Sequence, residues 1–97
     1  MLIPSIRNHP MIQFTLYSRS YCHLCDDMLE QLQAYLDSYP DCPAFAVKVL
    51  DVDADEALLA LYDELVPVLI GHKVHQTAQQ ICHYFLDQTK LEAFLHG

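Results

Sequence analysis

Two cysteines three residues apart, in Cys22-His23-Leu24-Cys25, are the side chains of this chain best suited to chemistry. Residues spaced i, i+3 share one face of a helix, so two sulfurs there can close a small disulfide ring without moving backbone. If the pair opens a helix, unpaired N–H groups and the positive end of the dipole favour a thiolate on the first sulfur. Cys22 then reads as the attacking thiol. Cys25 reads as the resolving thiol that breaks a mixed disulfide formed on Cys22. Arg19, three residues upstream, adds a cation that favours the thiolate, whereas Asp26 and Asp27 oppose it. Two other readings stand beside this one. Both cysteines could be buried packing residues, or half of a zinc site completed by Cys82-His83. No second C-x-x-C and no H-x-x-x-H is present. His23 reads as a tuning or solvent-facing residue.

Positioning the pair requires a strand before it and a helix after it. Residues 12–17 alternate apolar and polar side chains, the period of a strand, and residues 18–21 form a loop. Leu24, Met28, Leu29, Leu32, Leu36 and Tyr39 mark a helical stripe from about Cys22 to Tyr39, ended by Pro40 and Pro43. Residues 45–50 read as a second strand. Asp53 and Glu56 stand at capping-box spacing before a second helix carrying Leu58, Leu59, Leu61, Tyr62 and Leu65. Residues 66–70 read as a third strand with Gly71-His72-Lys73 as its turn, and residues 81–85 as a fourth. Asp87 can cap a last helix bearing Leu91, Phe94 and Leu95. The order is βαβαββα. A right-handed crossover, then a hairpin, gives a four-stranded mixed α/β sheet with helices on both faces, the minimal thioredoxin-like arrangement.

Ninety-seven residues, 53% of them hydrophobic and only two of them glycine, support one packed core. Residues 12–97 read as a single domain behind a flexible extension over residues 1–11. The net charge is −8 and the five basic residues are scattered, so no stripe exists to track a phosphate backbone. No apolar run is long enough to span a membrane, and the first ten residues lack the apolar segment of a signal peptide. Four cysteines without an export signal point to a reducing, cytoplasmic setting.

The remaining candidates read more plainly. Cys42 follows the first helix, about 25 Å from Cys22, too far to join the pair. Cys82 reads as a core cysteine, with an accessory redox thiol as the alternative; in a regular strand it would share a face with Tyr84. Tyr84 or Phe85 could line a substrate groove or belong to the core. His9, His72, His75 and His96 show no ligand spacing. Asp51, Asp53 and Asp55 alternate as in a calcium loop but lack its glycine and later glutamate, so they end a strand and cap a helix. Pro67 at the head of an apolar strand cannot donate to a sheet ladder. It is either a strand-entry residue in trans or a cis proline with a purpose.

The run Tyr17-Ser18-Arg19-Ser20-Tyr21-Cys22-His23-Leu24-Cys25, followed later by Val66-Pro67-Val68-Leu69, resembles the glutaredoxins. The likeness spans residues 12–96 and is closest to small bacterial glutaredoxin-like proteins with C-x-L-C. It implies a glutaredoxin-type thioredoxin fold, thiol–disulfide exchange at Cys22 with Cys25 resolving, and a cis Pro67 facing the dithiol. It also implies substrate contacts from Arg19, Tyr21, Val66 and Pro67, with the Val66 N–H and C=O pairing with the substrate main chain. Arg19 matches the basic residue that the family uses near glutathione. Classical members carry Gly-Gly and Asp before the last helix. Here Tyr84-Phe85-Leu86-Asp87 occupies that stretch, keeping the acid but replacing glycines with aromatics that would crowd a glutathione pocket.

The expectation is a monomeric thiol–disulfide oxidoreductase acting on protein or small-molecule disulfides. No metal or bound cofactor is expected, and glutathione or a thioredoxin-type reductase would supply electrons. Nucleic acid and membrane are not expected partners. The alternative is a non-catalytic module that uses the same scaffold to bind a protein or sense oxidation. A third reading is a metal or cluster site on Cys22 and Cys25, shared across a dimer.

Overall fold

The computed structural model describes residues 11–97. The extension expected over residues 1–11 lies outside the described residues except for Met11. The Met11 N–H donates to the Ala44 carbonyl at 2.8 Å and its carbonyl accepts from the Val74 N–H at 3.1 Å. The elements are β1 (Ile12–Ser18), α1 (His23–Asp37), β2 (Phe45–Asp51), a 3₁₀ turn (Val52–Ala54), α2 (Glu56–Tyr62), β3 (Val68–Lys73), β4 (Gln79–His83) and α3 (Gln88–His96). The expected βαβαββα order is observed, with the 3₁₀ turn added ahead of α2.

The four strands form one sheet in the order β2-β1-β3-β4. β1 runs parallel to β2, with Ile12 opposite Phe45 and Ser18 opposite Asp51. It runs antiparallel to β3, with Tyr17 opposite Val68. Alternation along β1 sends Ile12, Phe14 and Leu16 to one face, where they meet Met28, Leu32 and Leu36 of α1 and Leu91 and Phe94 of α3. The opposite face carries Tyr17, whose ring stacks on Tyr62 of α2 at 4.5 Å. Both faces therefore hold helices, but the apolar weight lies on the α1/α3 side; α2 buries none of its residues.

Four local expectations are corrected. α1 ends at Asp37 rather than Tyr39, because Ser38 caps it and its hydroxyl donates to the Ala34 carbonyl at 2.8 Å. Tyr39 keeps the apolar period from the following turn, its ring 5.8 Å from that of Tyr35. The N-cap of α2 is Asp55, not Asp53: the Asp55 carboxylate accepts from the Ala57 N–H at 2.8 Å. The 3₁₀ turn, capped by Asp51 through the Asp53 N–H at 2.9 Å, occupies the intervening residues and delays the helix. β4 spans Gln79–His83 rather than residues 81–85. Leu69 stands opposite Cys82 and Ile70 opposite Gln80, so Ile81 is an extra residue and both Ile81 and Cys82 are buried.

The fourth correction concerns β3, which begins at Val68 and runs through Gly71-His72-Lys73, the stretch expected to turn. The glycine serves packing instead. A Cβ on Gly71 would lie 2.6 Å from Phe94 Cζ and 2.8 Å from Ile81 Cδ1. Gly71→Ala therefore overpacks the α3 contact, with an expected loss of about 1–3 kcal/mol measured by urea unfolding. An alanine variant as stable as the parent would contradict this packing.

Candidate redox site

β1 delivers the chain to the loop that precedes α1, and Cys22 is the N-cap of that helix, with extended dihedrals of φ −110° and ψ 104°. Its Sγ accepts a hydrogen bond from the Cys25 N–H at 3.1 Å, and its carbonyl accepts from the Asp26 N–H at 3.1 Å. A sulfur stands where serine or aspartate usually caps, satisfying one orphan donor of the first turn. Cys22 and Cys25 are joined as a disulfide, their Cα atoms 5.2 Å apart, inside the range such a bond requires. The two sulfurs differ in access. Cys22 is half-buried, whereas Cys25 is 2% exposed. His23 between them is exposed.

Opposite this loop, the Val66-Pro67 bond is cis, as the resemblance implied, and Pro67 is buried. The Tyr17–Val68 register puts the end of β1 and the start of β3 at the same end of the sheet, so both loops emerge there. The backbone of Val66 is half engaged. Its N–H donates to the Tyr62 carbonyl at 3.1 Å, closing the last turn of α2, so only its carbonyl remains for a substrate. Val66 was expected to offer both groups.

Arg19 is the second expectation that the structure redirects. Its Nη2 donates to Asp53 Oδ1 and to Asp63 Oδ1, both at 2.9 Å, and its Nε to Asp53 Oδ2 at 3.3 Å. A further bond from Nη1 reaches the Asp63 carbonyl at 3.4 Å. These contacts, Asp53 first, push the guanidinium's proton affinity up. Cys22 Sγ receives no bond from Arg19 among the described residues. The guanidinium instead ties the loop before Cys22 to the 3₁₀ turn and to the residue three before Val66. Asp53 and Asp63 were not singled out as site residues; an arginine just ahead of a reactive cysteine reads as its counter-ion until the fold brings carboxylates to it.

Tyr21, next to Cys22, and Tyr84, bonded to the Pro67 loop, both hold unusual backbone. Tyr21 holds φ 57° and its side chain is fully exposed, projecting from the residue before Cys22. Tyr84 holds φ 66°, the left-handed region that suits the glycine expected at this place from the resemblance. Its N–H donates to the Pro67 carbonyl at 2.9 Å, and its hydroxyl donates to the Glu64 carbonyl. The phenol thus lies across the loop that leads into Pro67. This conformation takes Tyr84 out of β4, so it does not alternate with Cys82 as expected. Phe85 beside it is 68% exposed and not part of the core. Asp87 caps α3 through the Lys90 N–H at 3.0 Å.

The other two thiols lie apart from this arrangement. Cys82 is buried in the core, and burial pushes its thiol's pKa up, partly offset by a backbone bond from Asp87. Cys42 is half-buried against the core, and burial raises it too. Among the described residues no three His, Cys, Asp or Glu side chains converge as metal ligands, and no helix is long and apolar enough to cross a membrane.

A mixed sheet of this order, with a cysteine pair opening the first helix and a cis proline ahead of the third strand, is a thioredoxin fold. Within it, the chain belongs to the glutaredoxin-like domain family (DUF836), whose family model matches residues 13–96. The solution NMR structure of protein Ne2328 from Nitrosomonas europaea is similar at 32% identity, covering 90% of this chain and 93% of that one, with a TM-score of 0.72. Oxidised mitochondrial thioredoxin 3 from Saccharomyces cerevisiae is 17% identical, with 95% and 83% coverage and a TM-score of 0.63. Fasciola hepatica thioredoxin is 21% identical, with 94% and 84% coverage and a TM-score of 0.59. These two support the fold alone. No curated protein matches the chain at a significant level.

Two predictions follow from this geometry. Because the Tyr21 side chain makes no packing contacts to lose, Tyr21→Gly is expected to be neutral or stabilising and Tyr21→Val to cost about 1–2 kcal/mol more than the glycine. Urea unfolding of both variants checks this, and equal stabilities would contradict the strained backbone. In the reduced protein, Cys82 stays neutral when folded at pH values where the unfolded thiol ionises. Its stabilisation is thus fully present below the ordinary thiol pKa and is lost as pH rises through the folded one. Stability of the reduced chain should fall more steeply at alkaline pH than that of Cys82→Ala.

Proposed function

We propose that the chain is a thiol–disulfide oxidoreductase in which Cys22 attacks and Cys25 resolves. The observation that carries this reading is the unequal access of two bonded sulfurs at a helix N-terminus. A partner can reach Cys22, while Cys25 lies beneath it and can attack only the Cys22 sulfur. The Cys25 N–H and the helix dipole favour the Cys22 thiolate, which is both a better leaving group and a more abundant nucleophile than an ordinary thiol. Arg19 contributes indirectly, holding the loop before Cys22 against the segment that leads into Pro67. The Val66 carbonyl offers the substrate main chain an acceptor, and the exposed Tyr21 ring offers it an apolar face.

Both electrons of the exchange reside on the two sulfurs, so the reaction needs no bound cofactor, and an external thiol reductant regenerates the dithiol. A single chain suffices. Protein or small-molecule disulfides are the substrates, in the reducing cytoplasm that this reading implies.

The test is exchange with a model disulfide by the reduced protein and two variants. Cys22→Ser should lower the rate to background. Cys25→Ser should still attack, and should accumulate a mixed disulfide on Cys22 visible as an added mass. Full activity in Cys22→Ser, or no adduct in Cys25→Ser, would contradict the assigned roles.

A further inference from the structure

Three of the groups near the cysteine and proline loops that could bind an anion or donate to a substrate are already engaged by the protein itself. Arg19 is held by Asp53 and Asp63, so its charge is more than balanced locally. The Val66 N–H is held by the Tyr62 carbonyl. The Tyr84 hydroxyl is held by the Glu64 carbonyl, which stretches the phenol across the approach to Pro67. Apart from His23, exposed between the two cysteines, the side chains left free are acidic or aromatic. The Val66 carbonyl can accept. Asp26 and Asp27 are exposed within one turn of Cys25, and Glu64 is exposed ahead of the proline. Tyr21 is fully exposed and Phe85 is 68% exposed, two aromatic faces able to receive a cation.

Resting on the redox reading above, we propose that the preferred substrate is a disulfide in a peptide or protein segment flanked by lysine or arginine, and that glutathione disulfide is a poor one. The internal Arg19–Asp53–Asp63 network removes the cation that a small carboxylate-bearing thiol would use. The free carboxylates and aromatic rings then favour positive charge, and opposite charge steers encounter by roughly ten- to a thousandfold at low salt. In the exchange, the Cys22 thiolate attacks one sulfur of the substrate disulfide and the departing thiolate takes a proton. The Cys25 thiolate then attacks Cys22 Sγ and releases the second substrate thiol. The protein dithiol loses two electrons and one substrate disulfide gains them, so a single turnover needs no other reductant.

The experiment is single-turnover oxidation of the reduced, unmodified chain by three probes: a synthetic disulfide peptide flanked by lysines, its glutamate counterpart, and glutathione disulfide. At low ionic strength the lysine peptide should react at least about tenfold faster than either anionic probe, with the gap narrowing as salt screens the charges. Asp53→Asn/Asp63→Asn, which frees Arg19, should raise the rate with glutathione disulfide. A glutamate peptide or glutathione disulfide that reacts as fast as the lysine peptide overturns the proposal while leaving the oxidoreductase reading intact. If none of the three oxidises the dithiol above background, that reading fails and the proposal with it.

Discussion

Antiparallel pairing of β1 with β3 is the constraint on which the rest of this structure depends. With Tyr17 opposite Val68, the residues that follow β1 and those that precede β3 must emerge at the same end of the sheet. The cysteine pair lies on the first path and the cis proline on the second. Parallel pairing of β1 with β2 brings a third segment to that end, because Ser18 stands opposite Asp51 and the 3₁₀ turn follows at once. Three loops distant in sequence thereby meet. Arg19 fastens them through Asp53 and Asp63, doing electrostatically at the surface what Phe14, Leu32 and Leu91 do by burial inside.

Features carried by local pattern were legible from sequence. The cysteine spacing, the stripe on α1, the alternation of β1 and the Asp87 cap each depend on a few neighbouring residues, and each stands in the structure. Features decided by tertiary neighbours were not. Gly71 looks like a turn residue until Phe94 is seen to lie against it. Asp53 stands at the spacing of a helix cap, but Arg19 draws its carboxylate and a 3₁₀ turn moves the cap to Asp55. The bulge at Ile81 has no sequence signal, because an extra residue in a strand reads like any other. At the site itself, the pair and Pro67 were found from residue type and order. The partners of Arg19 and of the Val66 N–H could not be, since each lies across the fold.

Tyr84 shows a bulky residue held in backbone that ordinarily suits glycine. Where the resemblance places glycine, this chain has a tyrosine in the left-handed region, tied at both its amide and its hydroxyl. The cost of positive φ in a non-glycine residue, about 1–2 kcal/mol, is offset by those two bonds. What the surface presents there is an aromatic bar tied to the loop that leads into Pro67.

The chemistry assigned to the site rests on one pairing of four available thiols: Cys22 with Cys25, with Cys42 half-buried after α1 and Cys82 in the core. Mild oxidation of the reduced chain, followed by alkylation and peptide mass mapping, tests this most directly. The account predicts a loss of two hydrogens confined to the peptide that contains Cys22 and Cys25, with Cys42 and Cys82 recovered as free thiols. Recovery of Cys22 bonded instead to Cys82 or Cys42, or of all four thiols unoxidised, would contradict it.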